Sequence, residues 1–151
     1  MKAHLVRHAD AGDRARWQEP DFQRPLSPKG QRQSTRIMQW FVNCDVTEIH
    51  SSPALRCHTT VQDTADACGI GVVIDPALGE GMGPQRMMAL IEAQTQPGLV
   101  ICAHGDGIPE TLRLLELRGL EFPGARHRCA KASIWTIDLA ANTAKYTPPP
   151  R

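Results

Sequence analysis

The 151-residue sequence predicts a three-layer α/β/α sandwich around a mainly parallel central sheet. Short apolar runs of strand length alternate with helical patterns of roughly 10–15 residues, the signature of successive βα units. One run, Leu99–Ala103, is apolar without interruption, as a central strand covered on both faces must be. Hydrophobic residues make up 41% of the chain and charged residues 22%, so a chain of this length can bury a core without metal or disulfide staples. Aromatic residues are only 5%, which leaves most of that core to aliphatic side chains.

The elements follow in order. Ala3–Arg7 is a short apolar run that fits a first strand. Ser27-Pro28 reads as an N-cap followed by the first helical residue, and Ser34, Ile37, Met38 and Phe41 then recur at helical spacing. Val46–His50 fits a second strand. Ser52-Pro53 predicts another helix start, with Cys57, Val61, Ala65 and Cys68 as its buried stripe and Gly69 as its stop. Val72–Ile74 is a third strand. Pro84 opens a helix whose Met87, Met88 and Ile91 are core residues. Ile108, Leu112 and Leu115 mark one more amphipathic helix, ended by Gly119. Ala132–Leu139 and Ala144–Thr147 are the final strands, paired as a hairpin around Asn142. Residues 1–147 are expected to form one domain, and the proline-rich residues 148–151 a flexible, extended tail.

Charge is unevenly placed. The net charge of +1 gives no global case for nucleic acid or membrane binding. Residues 1–36 carry eight Lys/Arg against four Asp/Glu, whereas residues 37–112 carry nine acids and only two bases, Arg56 and Arg86. An arginine in so acidic a stretch raises the question of its partner. The five cysteines form no CxxC and match no zinc spacing, so reduced thiols in a cytoplasmic protein are expected. No apolar run follows Met1-Lys2, and no run is long enough to span a bilayer.

Ligands of such sheets bind beyond the carboxyl ends of the strands. There the sequence places Arg7-His8-Ala9-Asp10 after the first strand and Ser51-Ser52-Pro53-Ala54-Leu55-Arg56 after the second. His104-Gly105-Asp106 follows the central strand, and Leu78-Gly79-Glu80 follows the third. Two arginines, two histidines and the N-termini of helices starting near Ser52 and Asp106 converge on one edge, a combination suited to phosphate. A histidine in such a site can attack phosphorus and carry the phosphoryl group covalently, while the arginines neutralise its oxygens. An acid nearby would protonate the leaving group. Glu80 and Asp106 are both candidates, and Asp106 also suits an N-cap. Asp10 reads as a solvated loop acid. His8-x-Asp10 and His104-x-Asp106 have metal-ligand types, but adjacent guanidiniums are poor neighbours for a cation.

These residues carry a family resemblance. Leu5-Val6-Arg7-His8-Ala9, Ser51-Ser52-Pro53-Ala54-Leu55-Arg56 followed by Thr59 and Thr60, and Ile101-Cys102-Ala103-His104 resemble three motifs of the histidine phosphatase, or phosphoglycerate mutase-like, superfamily. Arg24-Pro25-Leu26-Ser27-Pro28-Lys29-Gly30 resembles a segment of its small members, which include the SixA-type phosphohistidine phosphatases. The small members also include the phosphatase half of some Nudix–phosphatase fusion proteins, which Lys131-Ala132-Ser133-Ile134-Trp135 resembles too. The resemblance implies His8 as the phosphate-accepting nucleophile, Arg7 and Arg56 as phosphate holders, and His104 as a second pocket histidine donating to the phosphoryl oxygens. It places Glu80 where the mutase-like branch carries its proton donor. Two departures stand out: Ala9 replaces the usual Gly, a small-for-small change expected to be tolerated, and a mutase-type Asn/Ser downstream has no counterpart.

The expected function is a metal-independent phosphohydrolase acting through phosphohistidine on His8, with a phosphohistidine protein as substrate and no cofactor. A small-molecule phosphatase acting on nucleotides or sugar phosphates is the alternative. A phosphate- or phosphoprotein-binding module without turnover is a third reading, and a metal hydrolase a fourth. No nucleic acid or membrane partner is expected; the sequence leaves the oligomeric state open and is compatible with a monomer. The loop from Ala11 to Pro25, with Arg14, Arg16, Arg24, Trp17 and Phe22, is either a substrate-facing flap or a solvated surface loop. His58 and the run Arg126-His127-Arg128 either widen a positive rim or are solvated.

Overall fold

The computed structural model describes residues 1–122 and 128–151. Arg126 and His127 of the basic run lie outside the described residues. Six strands, β1 (Lys2–Arg7), β2 (Glu48–Ser51), β3 (Val72–Ile74), β4 (Leu99–Ala103), β5 (Ile134–Asp138) and β6 (Thr143–Thr147), form one sheet in the order β3-β2-β4-β1-β5-β6. β3, β2, β4 and β1 are parallel; β5 runs antiparallel to β1, and β6 antiparallel to β5, so β6 again points the way of the first four.

Side chains alternate across the sheet, as the pleat requires. Leu5 of β1 and Leu99, Ile101 and Ala103 of β4 face a cluster built with Met87, Met88 and Ile91 of α3 (Gln85–Glu92) and Ile108, Leu112 and Leu115 of α4 (Gly107–Leu117). Val6, Val100 and Cys102 face the opposite cluster, with Ile37 and Phe41 of α1 (Pro28–Phe41) and Cys57, Val61 and Ala65 of α2 (Leu55–Cys68). The two clusters are the two halves of an α/β/α sandwich.

Local chemistry fixes the element ends. Ser27 caps α1 by accepting the Gly30 N–H, with Pro28 in the first turn. Gly69 ends α2 at φ 68°, a left-handed conformation that suits glycine. Asn142 turns the β5–β6 hairpin at φ 57°. One start differs from expectation. α2 begins at Leu55, not at Ser52-Pro53, and its N-cap Ala54 offers no side-chain bond. The reason is that the Ser52 hydroxyl is already engaged, accepting the Ala54 N–H and meeting the ring of His104. The C-terminal segment runs beside α1: Pro149 and Pro150 are half-buried, and Pro150 shares a groove with Arg36 and Trp40.

β1 and β4 are neighbours, yet the chain leaves β1 for α1 on one face and β4 for α4 on the other. Their carboxyl ends therefore open into a crevice at the switch point of the sheet. The register pairs Arg7 with Ala103, so His8 and His104 emerge side by side.

Candidate active site

The crevice is a cleft of about 480 Å³ lined by Arg7, His8, Arg14, Glu80, His104 and Lys131 among others. His8 and His104 are 5% and 3% exposed, with ring centroids 5.6 Å apart. The His8 main-chain N–H donates to the Ala103 carbonyl, which holds the loop after β1 against the end of β4. Ala9 is fully buried, and its N–H donates to the Thr60 hydroxyl, which in turn donates to the Arg56 carbonyl. Thr60 thus ties the His8 loop to the first turn of α2. The Ala9 backbone lies outside the left-handed region, so the methyl in place of hydrogen brings no strain.

His8 Nδ1 lies 2.9 Å from the Ala9 carbonyl oxygen. A carbonyl only accepts, so Nδ1 carries the proton and Nε2 keeps its lone pair. Burial pushes the His8 pKa down to about 3; the Ala9 carbonyl works against this, and the charges of Arg56, His104 and Arg7 reinforce it. The ring is a neutral base with its nucleophilic nitrogen unprotonated at neutral pH. His104 is held from behind. Its Nε2 is 2.8 Å from the Ser52 hydroxyl and 3.5 Å from the Cys57 sulfur, and its Nδ1 is buried without a protein partner.

Arg7 donates from Nη1 to the Cys129 carbonyl at 2.6 Å, leaving Nε buried and unpartnered. Its guanidinium lies over Gly105, where a Cβ would come within 2.7 Å of Arg7 Cζ, so that loop position has no room for a side chain. Gly30 serves the same end on the other side: a Cβ there would collide with the Asp10 carbonyl, so α1 can approach the loop after β1 only with glycine at that turn.

Arg56 is 1% exposed. Its Nη1 donates to the Asp21 carbonyl, and its Nη2 meets the Asp21 carboxylate at 3.0 Å and the Glu80 carboxylate at 3.2 Å. Both carboxylates also bind Arg14, and Asp21 binds Arg24 as well. The acidic stretch supplies only Glu80 as a partner for Arg56; the other, Asp21, comes from the loop before α1. Arg56 itself does not line the cleft; of its two acid partners only Glu80 does. Its Nε is buried without a protein partner. Arg7 Nε, Arg56 Nε and His104 Nδ1 thus share one condition, and an unpaired buried donor costs about 1–3 kcal/mol. Phosphoryl oxygens would satisfy such donors.

The remaining candidates sort themselves. Asp106 is the N-cap of α4: one oxygen accepts the Gly107 N–H at 2.8 Å and the other the Gly81 N–H at 2.7 Å. Burial pushes its pKa up, but the Gly81 and Gly107 amides outweigh that and hold it below the usual carboxylate range. It positions the Glu80 loop. Asp10 accepts from the Ser27 hydroxyl and the Gly12 N–H, and the Ser27 bond chiefly holds its carboxyl low. The loop before α1 is divided: Arg14 and Arg24 line the cleft, whereas the Arg16 side chain is 89% exposed and pairs with Asp13. Arg24 is buried and donates to the Ala11 carbonyl, which makes it a brace for the loop. Trp17 donates to the Pro20 carbonyl, and Phe22 is exposed. His58 does not line the cleft, and Arg128 is exposed, its carbonyl accepting from the Trp135 indole. Among the described residues no three metal-binding side chains gather, and no helix is long and apolar enough to cross a membrane.

An α/β/α sandwich with two histidines and arginines at the switch point of its sheet has the architecture of a phosphate-handling domain. A family model described as the histidine phosphatase superfamily (branch 1) matches residues 3–97, and the chain belongs to that superfamily. An 8-oxo-(d)GTP phosphatase of Mycolicibacterium smegmatis is 28% identical over 97% of this chain and 48% of its own length. A Yersinia pestis protein named "Probable phosphoglycerate mutase GpmB" is 33% identical over 78% of this chain and 58% of its own. The chain therefore spans about half the length of the curated relatives it matches. The solved structure of the protein histidine phosphatase SixA with tungstate superposes at a TM-score of 0.77, with 18% identity, covering 97% of this chain and 94% of that one.

The buried histidines carry a pH prediction. His4 on β1 is 4% exposed, and burial, followed by the charge of Lys2, pushes its pKa down to about 4. His8 and His4 both stay neutral in the fold well below 6.5, where the unfolded chain takes up protons. Protons therefore favour the unfolded chain. The stability is fully present above pH 6.5 and is lost as pH falls toward 4 and 3. Each histidine is expected to cost roughly 2 kcal/mol between pH 7 and 5, read from urea midpoints. In the same window the His8 ring proton resonances are expected to stay still; titration of that ring near pH 6.5 would overturn the assignment.

Proposed function

We propose that this chain is a metal-independent phosphohydrolase that works through phosphohistidine at His8 Nε2, and that its substrate is a phosphohistidine carried on a protein. The observation that carries the reading is His8 itself, neutral and fixed by the Ala9 carbonyl with Nε2 unprotonated, between two histidine and arginine neighbours whose buried N–H groups lack partners. Nε2 attacks phosphorus in line. The Nε2–P bond forms as the bond from phosphorus to the leaving nitrogen breaks, and that nitrogen takes a proton from solvent, which the attacking water of the second step restores. A water then attacks phosphorus, breaks the Nε2–P bond and returns His8 to the neutral form. Arg7 and His104 stabilise the equatorial oxygens from the cleft wall, and Arg56 joins them when the phosphoryl group displaces the Glu80 carboxylate from its guanidinium.

The choice of phosphohistidine rests on the open cleft and on the likeness to SixA, whose bound tungstate has the shape of a phosphoryl group. A phosphoramidate leaves with less help from an acid than an alkoxide does. Glu80, whose carboxylate is held by Arg14 and Arg56, is then dispensable. Glu80→Gln is expected to change phosphohistidine hydrolysis by less than about 3-fold, against about 100-fold for a phosphate ester that needs a proton donor.

A second reading has its own support. The 8-oxo-(d)GTP phosphatase relative favours a nucleotide substrate, with Arg14 and Lys131 in the cleft wall placed to meet further phosphates. Phosphate release from a panel settles the choice: a phosphohistidine peptide, nucleoside di- and triphosphates, 3-phosphoglycerate and an aryl phosphate, all with EDTA. Turnover of the peptide ahead of the others supports the proposal. Preference for a nucleotide supports the alternative, loss of activity in EDTA revives a metal hydrolase, and binding without release makes the domain a phosphate-binding module. We take 1–147 as the unit that carries this activity.

A further inference from the structure

Resting on the phosphoprotein reading, we propose that the exposed basic face of α1, formed by Lys29, Arg32 and Arg36, docks an acidic surface of the phosphoprotein that the cleft dephosphorylates. The spacing puts these three residues on one side of the helix. All three are exposed, and they line a groove of about 470 Å³ whose far wall is Pro150 and Arg151. No acidic residue lines that groove. Among the described residues, none of the three forms an ion pair. Asp63 of α2, on the inner side of α1, is half-buried and engaged by the Ser34 and Thr35 hydroxyls.

This is segregation of charge, not an excess of it, because the whole chain carries only +1. Three basic side chains around the cleft are by contrast neutralised: Arg14, Arg24 and Arg56 all pair with Asp21 or Glu80. The face is joined to the cleft through Asp10. The first turn of α1 is fastened to the loop that follows His8, since the Ser27 N–H donates to the Asp10 carbonyl and its hydroxyl to the Asp10 carboxylate. Lys131, on the cleft wall, reaches the same carboxylate at 3.9 Å. A partner whose phosphorylated side chain enters the cleft would therefore rest its neighbouring surface on α1. Lys29 feels the charge of Asp10, but Arg32 and Arg36 face no described acid in the groove, and the three cations together select an acidic surface and raise its encounter rate.

The experiment compares kcat/KM on two substrates, a phosphohistidine-bearing acidic protein and free phosphohistidine. It uses wild type and the triple variant Lys29→Glu, Arg32→Glu, Arg36→Glu. The variant is expected to lose about 10-fold or more on the protein and to keep the wild-type rate on the small substrate, which also reports that it is folded. Raising salt should slow wild type on the protein and leave the variant little changed. Equal turnover of the protein by both chains overturns the docking face while leaving the phosphoprotein reading intact. If neither chain turns over the protein while both hydrolyse a small phosphate, the phosphoprotein reading itself falls, and this face with it. Wild-type binding to phosphatidylserine vesicles that the variant loses, with protein turnover unchanged, would assign the face to a membrane instead.

Discussion

His8→Ala is expected to lose phosphate release by about 10⁴-fold or more while keeping its fold. In the crevice between β1 and β4 the imidazole of His8 stands with Nδ1 committed to a carbonyl and Nε2 bearing a lone pair. His104 is placed differently, since its Nε2 is engaged by Ser52 and Cys57. Removing His8 deletes one side-chain-to-backbone hydrogen bond and a buried ring, a cost of about 2 kcal/mol that a domain of this size survives. The variant should also unfold less steeply on acidification, because one of the two histidines that resist protonation is gone. Rapid quenching of wild type during turnover should trap an alkali-stable, acid-labile phosphate on the chain, and His8→Ala should trap none. A variant that releases phosphate at the wild-type rate would remove His8 from the chemistry.

Arg56→Ala carries the second large effect, on stability and activity together. The guanidinium is 1% exposed and bridges the Asp21 and Glu80 carboxylates, which are 37% and 43% exposed. Its removal takes the cation from between two acids and leaves a hole beneath the loop before α1. A loss of about 3 kcal/mol is expected, read from a thermal melt. Phosphate release should fall by about 10²–10³-fold, as when one oxyanion donor is lost. Arg56→Lys should recover little, because a single ammonium cannot reproduce a fork that serves the Asp21 carbonyl and two carboxylates. Wild-type rates with a wild-type melt would sink this account of Arg56.

Much of the fold is legible in the sequence because it is written locally. Leu99–Ala103 and Val72–Ile74 are strands with the predicted bounds, Gly69 ends α2, and Asn142 turns the last hairpin. The gathering of Arg7, His8, Glu80 and His104 at one sheet edge is legible too, since βα topology sends every parallel strand end to the same side. What is not legible is tertiary. Asp21 pairs with Arg56 across 35 residues, and nothing in the local pattern of either marks the other. The burial of Arg56 runs against the ordinary exposure of arginine. Ser52 reads as a helix cap because serine before proline usually is one; its hydroxyl is drawn instead to His104, 52 residues away. Cys57 reads as a stripe residue of α2 and is one, but its sulfur also touches the His104 ring. Lys131 enters the cleft from the segment before β5, where only the antiparallel pairing with β1 brings it near.

The acceptor that fixes the proton of His8 belongs to the main chain. No single side-chain replacement can delete it, so mutational drift acting on side chains cannot turn this ring over to its other tautomer. The polarity of this ring is inherited with the path of the backbone as it leaves β1. Any descendant that keeps this strand, this turn and a histidine at this place keeps an unprotonated Nε2 in the crevice, whatever its cleft walls have become. Side chains of the walls can diversify while this nitrogen stays the same.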